Sequence, residues 1–77
     1  MKITPSDLKD YRTYYGLSQR SLAKVLGISQ TYVMLLEKGE RLMPDYVADR
    51  LGLTFEQLQY IRKAKAERLA MYPQYQK

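Results

Sequence analysis

One three-residue phrase, a glycine followed by an apolar residue and then a hydroxyl residue, occurs three times in the chain: Gly16-Leu17-Ser18, Gly27-Ile28-Ser29 and Gly52-Leu53-Thr54. Glycine readily takes the left-handed conformation that ends a helix. The serine or threonine hydroxyl then accepts from the free N–H groups that begin the next helix. Each phrase therefore predicts that one helix ends and another begins within a few residues. In each case a second apolar residue follows at the spacing of a hydrophobic staple.

Further signals complete a prediction of five helices and no strand. Thr4 and Pro5 suit the cap and the first position of the first helix, which Gly16 ends. Gly39 ends the third helix, and after a loop the fourth begins at Pro44 or Asp45. The fifth helix starts after Thr54, can run to Tyr72, and is stopped by Pro73. The inward side chains at the two ends of the chain are predicted to be Leu8, Tyr11, Tyr15, Phe55, Leu58 and Ile61.

Composition narrows the function classes. The chain is 45% hydrophobic and 27% charged, as in an ordinary globular domain. It has no cysteine and no histidine, which excludes disulfides, thiol chemistry and the commonest general base. Its acidic residues show no catalytic pairing, so we expect no enzyme, no metal and no cofactor. No apolar run approaches the ~20 residues of a membrane span, and a signal-peptide core is missing, so a cytoplasmic location is expected.

The stretch from Gln19 to Lys38 predicts two short amphipathic helices joined by a tight turn at Gly27. The apolar stripes that bring them together are Leu22, Ala23 and Leu26 in the first helix and Val33 and Leu36 in the second. A crossing of two helices this close requires a small residue, which Ala23 supplies. Such a pair buries one face of its second helix and leaves the other free to enter a DNA major groove.

Positions 8–58 resemble the lambda-repressor-like (Cro-type, XRE-type) helix-turn-helix regulators, which include many phage repressors. The resemblance rests on the phrases at 16–19 and 37–39 and on the motif positions Leu22, Ala23, Leu26, Gly27, Ile28, Val33 and Leu36. It implies an all-α, compact five-helix bundle with the helix-turn-helix at helices 2 and 3. It also implies a transcriptional repressor of phage or mobile-element type that binds double-stranded DNA as a homodimer.

The resemblance also implies roles for individual residues. Gln19, at the start of the second helix, is expected to bind a DNA phosphate. Gln30 and Thr31 are expected at the entry of the recognition helix, with Met34 and Leu35 one turn further along its outer face. A structural ion pair is expected between the first and third helices, from Arg12 to Glu37.

Physical chemistry supports the same surface. The amide of Gln30 matches the N6 and N7 atoms of adenine, and Thr31 can offer a hydroxyl to a base or a methyl to thymine. Lys38 and Arg41 can meet the DNA backbone. Tyr32 can direct its hydroxyl to a phosphate or pack in the core. The full set predicted to contact DNA is Gln19, Ser29, Gln30, Thr31, Tyr32, Met34, Leu35, Lys38 and Arg41.

The uneven distribution of charge along the chain leaves open a second function, which is binding to another protein. The formal charge is +5, yet residues 62–77 hold five basic residues against one acidic residue, a net +4, so residues 1–61 carry only +1. We therefore divide the chain into a helix-turn-helix domain, 1–61, and a basic C-terminal helix extension with a frayed tail, 62–77. Met34 and Leu35 could also form an apolar patch. The alternative is thus a protein-interaction module of antitoxin or anti-repressor type, using that outer face of the third helix.

Overall fold

The computed structural model describes residues 2–71, and in this part of the chain the only regular elements are five helices. They are α1 (Pro5–Tyr14), α2 (Gln19–Leu26), α3 (Gln30–Glu37), α4 (Tyr46–Leu51) and α5 (Phe55–Met71). The all-α prediction with the helix-turn-helix at α2 and α3 is confirmed. The predicted stop at Pro73 and the frayed tail lie outside the described residues. Among those residues, no helix is long and apolar enough to cross a membrane.

The predicted caps explain where the helices begin. The hydroxyl of Ser18 accepts from the N–H of Ser21 at 3.0 Å, and that of Ser29 accepts from the N–H of Tyr32 at 3.1 Å. Thr54 forms a capping box with Gln57, each backbone N–H donating to the other's side chain at 3.1 Å. Helix α4 is the exception: it begins at Tyr46, later than predicted, and Asp45 gives it no side-chain cap.

The turn of the helix-turn-helix depends on Gly27. Its φ of 68° is in the left-handed region, where a side chain would be strained. This conformation lets the N–H of Ile28 donate to the Ala23 carbonyl at 3.1 Å, which ends α2 in a Schellman motif. Helix α3 then starts two residues later, so the angle between the two helices is set by backbone geometry.

One apolar core receives side chains from every helix. Helix α1 packs against α5 and α3, and α2 packs against α3 and α4. The buried apolar residues are Ile3, Leu8, Leu22, Ala23, Leu26, Val33, Leu36, Val47, Ala48, Leu53, Leu58 and Ile61. All the helix-turn-helix stripe residues are therefore core.

Two inward predictions are wrong. Tyr15 is 48% exposed because α1 ends at Tyr14, and its ring instead packs on that of Tyr11 with centroids 4.7 Å apart. Phe55 is 64% exposed. Since each helical residue turns about 100°, Phe55 lies about 120° around α5 from Ile61, beyond the edge of the buried face.

Two ion pairs that the sequence analysis missed hold α5 against α1. Asp7 is buried, and its carboxylate accepts from Arg62 through Nε at 3.0 Å and Nη2 at 2.8 Å. It also accepts from the N–H of Thr4 at 2.9 Å, closing a capping box at the start of α1. One turn further along, Lys65 Nζ lies 3.2 Å from Asp10. Helix α5 runs through residues 61–62 without a break, and the domain division proposed there stays a prediction.

The Asp7–Arg62 pair makes stability depend on pH. The hydrogen bonds from Arg62 hold the pKa of Asp7 below its ordinary value of 3.8, against the opposing effect of burial. A carboxyl whose pKa is lowered by folding stabilises the protein fully above its ordinary pKa. That contribution is lost as the pH falls from about 4 towards the lowered pKa.

We expect Asp7→Asn to lower the free energy of unfolding by about 1–3 kcal/mol at pH 7, because charge-assisted hydrogen bonds at a buried site are lost. The difference between the variant and the native chain should shrink as the pH falls from about 4 towards the lowered pKa of Asp7, because the carboxyl is protonated first in the unfolded chain and only later in the folded protein. Urea unfolding followed by circular dichroism at several pH values measures both effects. Asp49→Asn, the same change at an exposed residue, should leave stability within about 0.5 kcal/mol. A constant Asp7→Asn difference across the pH range would contradict this interpretation.

Candidate nucleic-acid interface

A buried carboxylate fixes α3 to the rest of the fold. The side chain of Glu37, at the end of α3, is only 5% exposed. It accepts from Arg12 of α1 through Nε at 2.9 Å and Nη2 at 3.1 Å. It also accepts from the amide nitrogen of Gln19 at 3.2 Å. Helix α1, the start of α2 and the end of α3 therefore share one anchoring group, and Gln19 is held half-buried beside it.

The start of α3 presents a polar outer face. Gln30 and Thr31 are exposed, and neither side chain makes a hydrogen bond within residues 2–71. Ser29 is also exposed. Its hydroxyl oxygen accepts the capping bond from Tyr32, and its O–H can still donate outwards. These polar groups are free to bind an external partner.

The middle of α3 is less exposed than its start. Tyr32, Met34 and Leu35 are all half-buried, and Tyr32 packs against the core. Burial raises the pKa of the Tyr32 phenol, and the adjacent Tyr46 phenol raises it further, while Arg41 has a smaller opposite effect. Tyr32 therefore stays a neutral hydrogen-bond donor at physiological pH. The apolar patch expected from Met34 and Leu35 is only partly open to solvent.

Two cations follow the end of α3. Lys38 is the C-terminal cap of the helix and is exposed, and Arg41 is exposed in the loop beyond it. The Arg41 guanidinium donates to the neighbouring Glu40 carbonyl at 2.9 Å, which leaves its other N–H groups open. Since α3 spans about 12 Å, these cations lie well away from Gln30 along the helix axis.

The distribution of acidic residues distinguishes α2 and α3 from their neighbours. Helices α1, α4 and α5 each place an acidic residue in the first turn: Asp7, Asp49 and Glu56. Helices α2 and α3 have none there. The positive ends of their dipoles are thus left uncompensated, which suits an anion such as phosphate. Arg20, exposed in the first turn of α2, adds a cation that the sequence analysis overlooked.

Arg50 is a second residue that sequence reasoning missed. Its Nη1 donates to the Leu26 carbonyl at 2.6 Å, at the negative end of α2. Its guanidinium also lies 4.2 Å from the ring centroid of Tyr46. Arg50 therefore ties α4 to the turn between α2 and α3. No local spacing rule connects residues 24 positions apart, and the family resemblance, which indicated the Arg12–Glu37 pair, did not indicate this contact.

The fold and this surface together define a helix-turn-helix protein. Within the described residues, five helices enclose one core, and the second helix of the tight pair turns its polar start outwards. No group of acidic side chains within residues 2–71 is placed to hold a metal ion.

Comparison with known families agrees with the fold. The helix-turn-helix family model matches residues 8–48, more than half of the 77 residues. The chain belongs to this helix-turn-helix family of the lambda-repressor (XRE) type, and the resemblance seen in the sequence is confirmed. Comparisons with curated proteins and with solved structures give no significant match. The family supports DNA binding in general.

We expect Arg50→Met to lower the free energy of unfolding by about 1–2 kcal/mol, because the Leu26 carbonyl loses a charged donor and Tyr46 loses its stacked cation. Urea unfolding at pH 7 measures this loss. Arg20→Met removes an exposed cation from the opposite end of α2, where the dipole disfavours positive charge, and should cost nothing. Equal losses in the two variants would show that the Arg50 contacts do not stabilise the turn.

Proposed function

We propose that the protein is a transcriptional regulator that binds double-stranded DNA sequence-specifically and reads the major groove with α3. It would be a repressor of phage or mobile-element type. One observation carries the proposal. The two helices of the motif are the ones without an acidic first turn, and α3 begins with exposed, unbonded Gln30 and Thr31. Phosphates fit the two positive helix ends, and base edges fit the free amide and hydroxyl.

Each residue of the surface has a defined role in this proposal. Gln30 binds adenine through its amide, and Thr31 contacts a neighbouring base or phosphate. Gln19, Lys38 and Arg41 contact phosphates and fix the register of the helix in the groove. Ser29 and Tyr32 donate O–H groups to the DNA backbone, and the exposed parts of Met34 and Leu35 meet thymine methyls.

The proposed regulator acts in the cytoplasm as a homodimer on a two-fold symmetric operator. Two copies would place two α3 helices in successive major grooves of one DNA face, doubling the number of bases read. The protein-partner alternative has less support. Large apolar side chains that are well exposed lie on other elements, such as Val25, Leu42 and Phe55, whereas Met34 and Leu35 are half-buried.

Selection of bound sequences from a random duplex library tests the proposal. We expect enrichment of a site with two related half-sites separated by about one helical turn. The selected duplex then serves as the cognate site for the variants below. Binding that never enriches a sequence would contradict sequence-specific reading by this protein.

We expect Gln30→Ala to weaken binding to the selected duplex by about 1–3 kcal/mol, the cost of a lost bidentate base contact. Binding to a scrambled duplex should change little, because phosphates dominate there. Fluorescence anisotropy with both duplexes provides the measurement and its internal control. A loss of equal size on both would show that Gln30 does not read a base.

Lys38→Ala should instead weaken binding to both duplexes alike. A phosphate contact releases about one counterion, so the slope of log affinity against log salt should become shallower by roughly 0.9. Lys9→Ala, which removes an exposed lysine of α1, is the matched control. Its slope should equal that of the native chain, and a native slope for Lys38→Ala as well would exclude a phosphate contact at Lys38.

A further inference from the structure

One residue of α4 holds the turn that leads into α3. Arg50 Nη1 donates to the Leu26 carbonyl at 2.6 Å. This carbonyl lies in the last turn of α2, where helix geometry leaves carbonyl groups without a backbone donor. A methyl group placed on Gly27 would lie 3.7 Å from the same nitrogen, so Arg50 sits directly against the left-handed residue of the turn. Arg50 therefore restrains the turn by a hydrogen bond and by close packing.

A second residue of α4 reaches α3 itself. The Tyr46 ring faces the Arg50 guanidinium, whose central carbon is 4.2 Å from the ring centroid. This stacking holds both side chains in place. The Tyr46 phenol is adjacent to the Tyr32 phenol, and both rings pack against the same core. Helix α4 therefore contacts the chain just before α3 begins and again within the first turn of α3.

Gln30 and Thr31 lie in the sequence between these two contacts. We infer that Arg50 and Tyr46 are positioning residues for base reading, because they fix the start of α3 and thereby the direction of the two exposed side chains. The inference rests on the proposed function and adds to it residues that touch no base. A recognition group has to be held within about 0.5 Å of its productive geometry by supporting residues. The hydrogen bonds of Glu37 fix only the far end of α3, so its start depends on a separate anchor.

The contacts of Arg50 favour this role over direct binding of a DNA phosphate. One of its N–H groups is used by the Leu26 carbonyl, and one face of its guanidinium is covered by Tyr46. A phosphate would have to compete with both contacts. By contrast, the Lys38 ammonium makes no hydrogen bond within residues 2–71. The two roles predict different results, since a phosphate contact strengthens binding to every duplex, whereas positioning changes only the discrimination between duplexes.

Substitution of Arg50 tests the positioning role. Arg50→Met should lower the ratio of the affinities for the selected and the scrambled duplex by about fivefold or more, because a misdirected Gln30 loses part of its base contact. The affinity for the scrambled duplex should change by less than about twofold. Arg50→Lys keeps a charged donor for the carbonyl and should recover most of the lost discrimination. Fluorescence anisotropy measures both affinities, and circular dichroism confirms that each variant is folded.

A double-mutant cycle shows whether Arg50 acts through Gln30. In a chain that already carries Gln30→Ala, Arg50→Met should lower the discrimination by less than about twofold, because the contact that it disturbs is absent. Losses that multiply in the double variant would show that the two residues act independently, and would overturn the inference. An equal loss on both duplexes would also overturn it, since Arg50 would then contact the DNA backbone.

Ile61→Val is the matched control for the loss of stability. It removes one methylene group from the buried core at α5, which destabilises the fold to an extent similar to Arg50→Met and leaves α4 intact. Its discrimination between the two duplexes should equal that of the native chain. A reduced ratio in this control would show that general destabilisation causes the effect, and would contradict a positioning role.

Amide hydrogen exchange measures the anchoring without DNA. The Val33 amide donates to the Ser29 carbonyl at the start of α3, and in Arg50→Met its exchange should accelerate by about tenfold. The Leu8 amide, in the corresponding bond to the Thr4 carbonyl of α1, should exchange as in the native chain. Unchanged exchange at Val33 would overturn the inference even for a chain that reads DNA. A native chain that binds both duplexes alike would instead refute the proposed function, and the exchange result would still show whether α4 anchors α3.

Discussion

The helix-turn-helix geometry depends on the hydrogen bonds that the Glu37 carboxylate accepts from two other helices. This carboxylate is nearly excluded from solvent, yet it accepts from the Arg12 guanidinium and from the Gln19 amide. A buried carboxylate lowers the stability of the fold unless donors fill its acceptor sites. Removal of either donor would therefore destabilise the contacts of all three side chains. The first helix, the entry to α2 and the last residue of α3 cannot move independently, and the polar start of α3 is presented at a fixed angle.

The basic residues near the C-terminus raise the net charge of the chain, but in the structure two of them form ion pairs within the fold. Arg62 and Lys65 account for half of the net excess of +4 in residues 62–77, and both are directed at carboxylates of α1. They close the bundle by joining parts of the chain that are more than fifty residues apart. Bulk charge is therefore a poor guide to the proposed DNA surface. The local absence of acids at the starts of α2 and α3 is more informative.

Local rules predicted most of the fold. Gly27 with Ser29, and Thr54 with Gln57, set helix ends through contacts that span a few residues, and these are visible in the sequence. Local rules could not predict long-range pairs, such as Arg50 with the Leu26 carbonyl, because no spacing rule connects them. The Arg12–Glu37 pair, which is equally long-range, was expected only through the family resemblance. Phe55 shows a second limit: an apolar residue at a helix start can lie just outside the buried sector. For the candidate site, sequence could name the outward residues of α3, but the half-burial of Met34 depends on the packed fold.

Helix α3 is anchored at its end, while the side chains at its start are exposed. This arrangement has an evolutionary consequence. Gln30 and Thr31 contribute no core contact, so exchanging them alters folding free energy by roughly 0.5 kcal/mol or less. New pairs of residues at these two positions can therefore be sampled while the scaffold stays intact. If these residues read DNA as proposed, a lineage carrying this scaffold can acquire a different target sequence in one or two substitutions, without first acquiring extra stability.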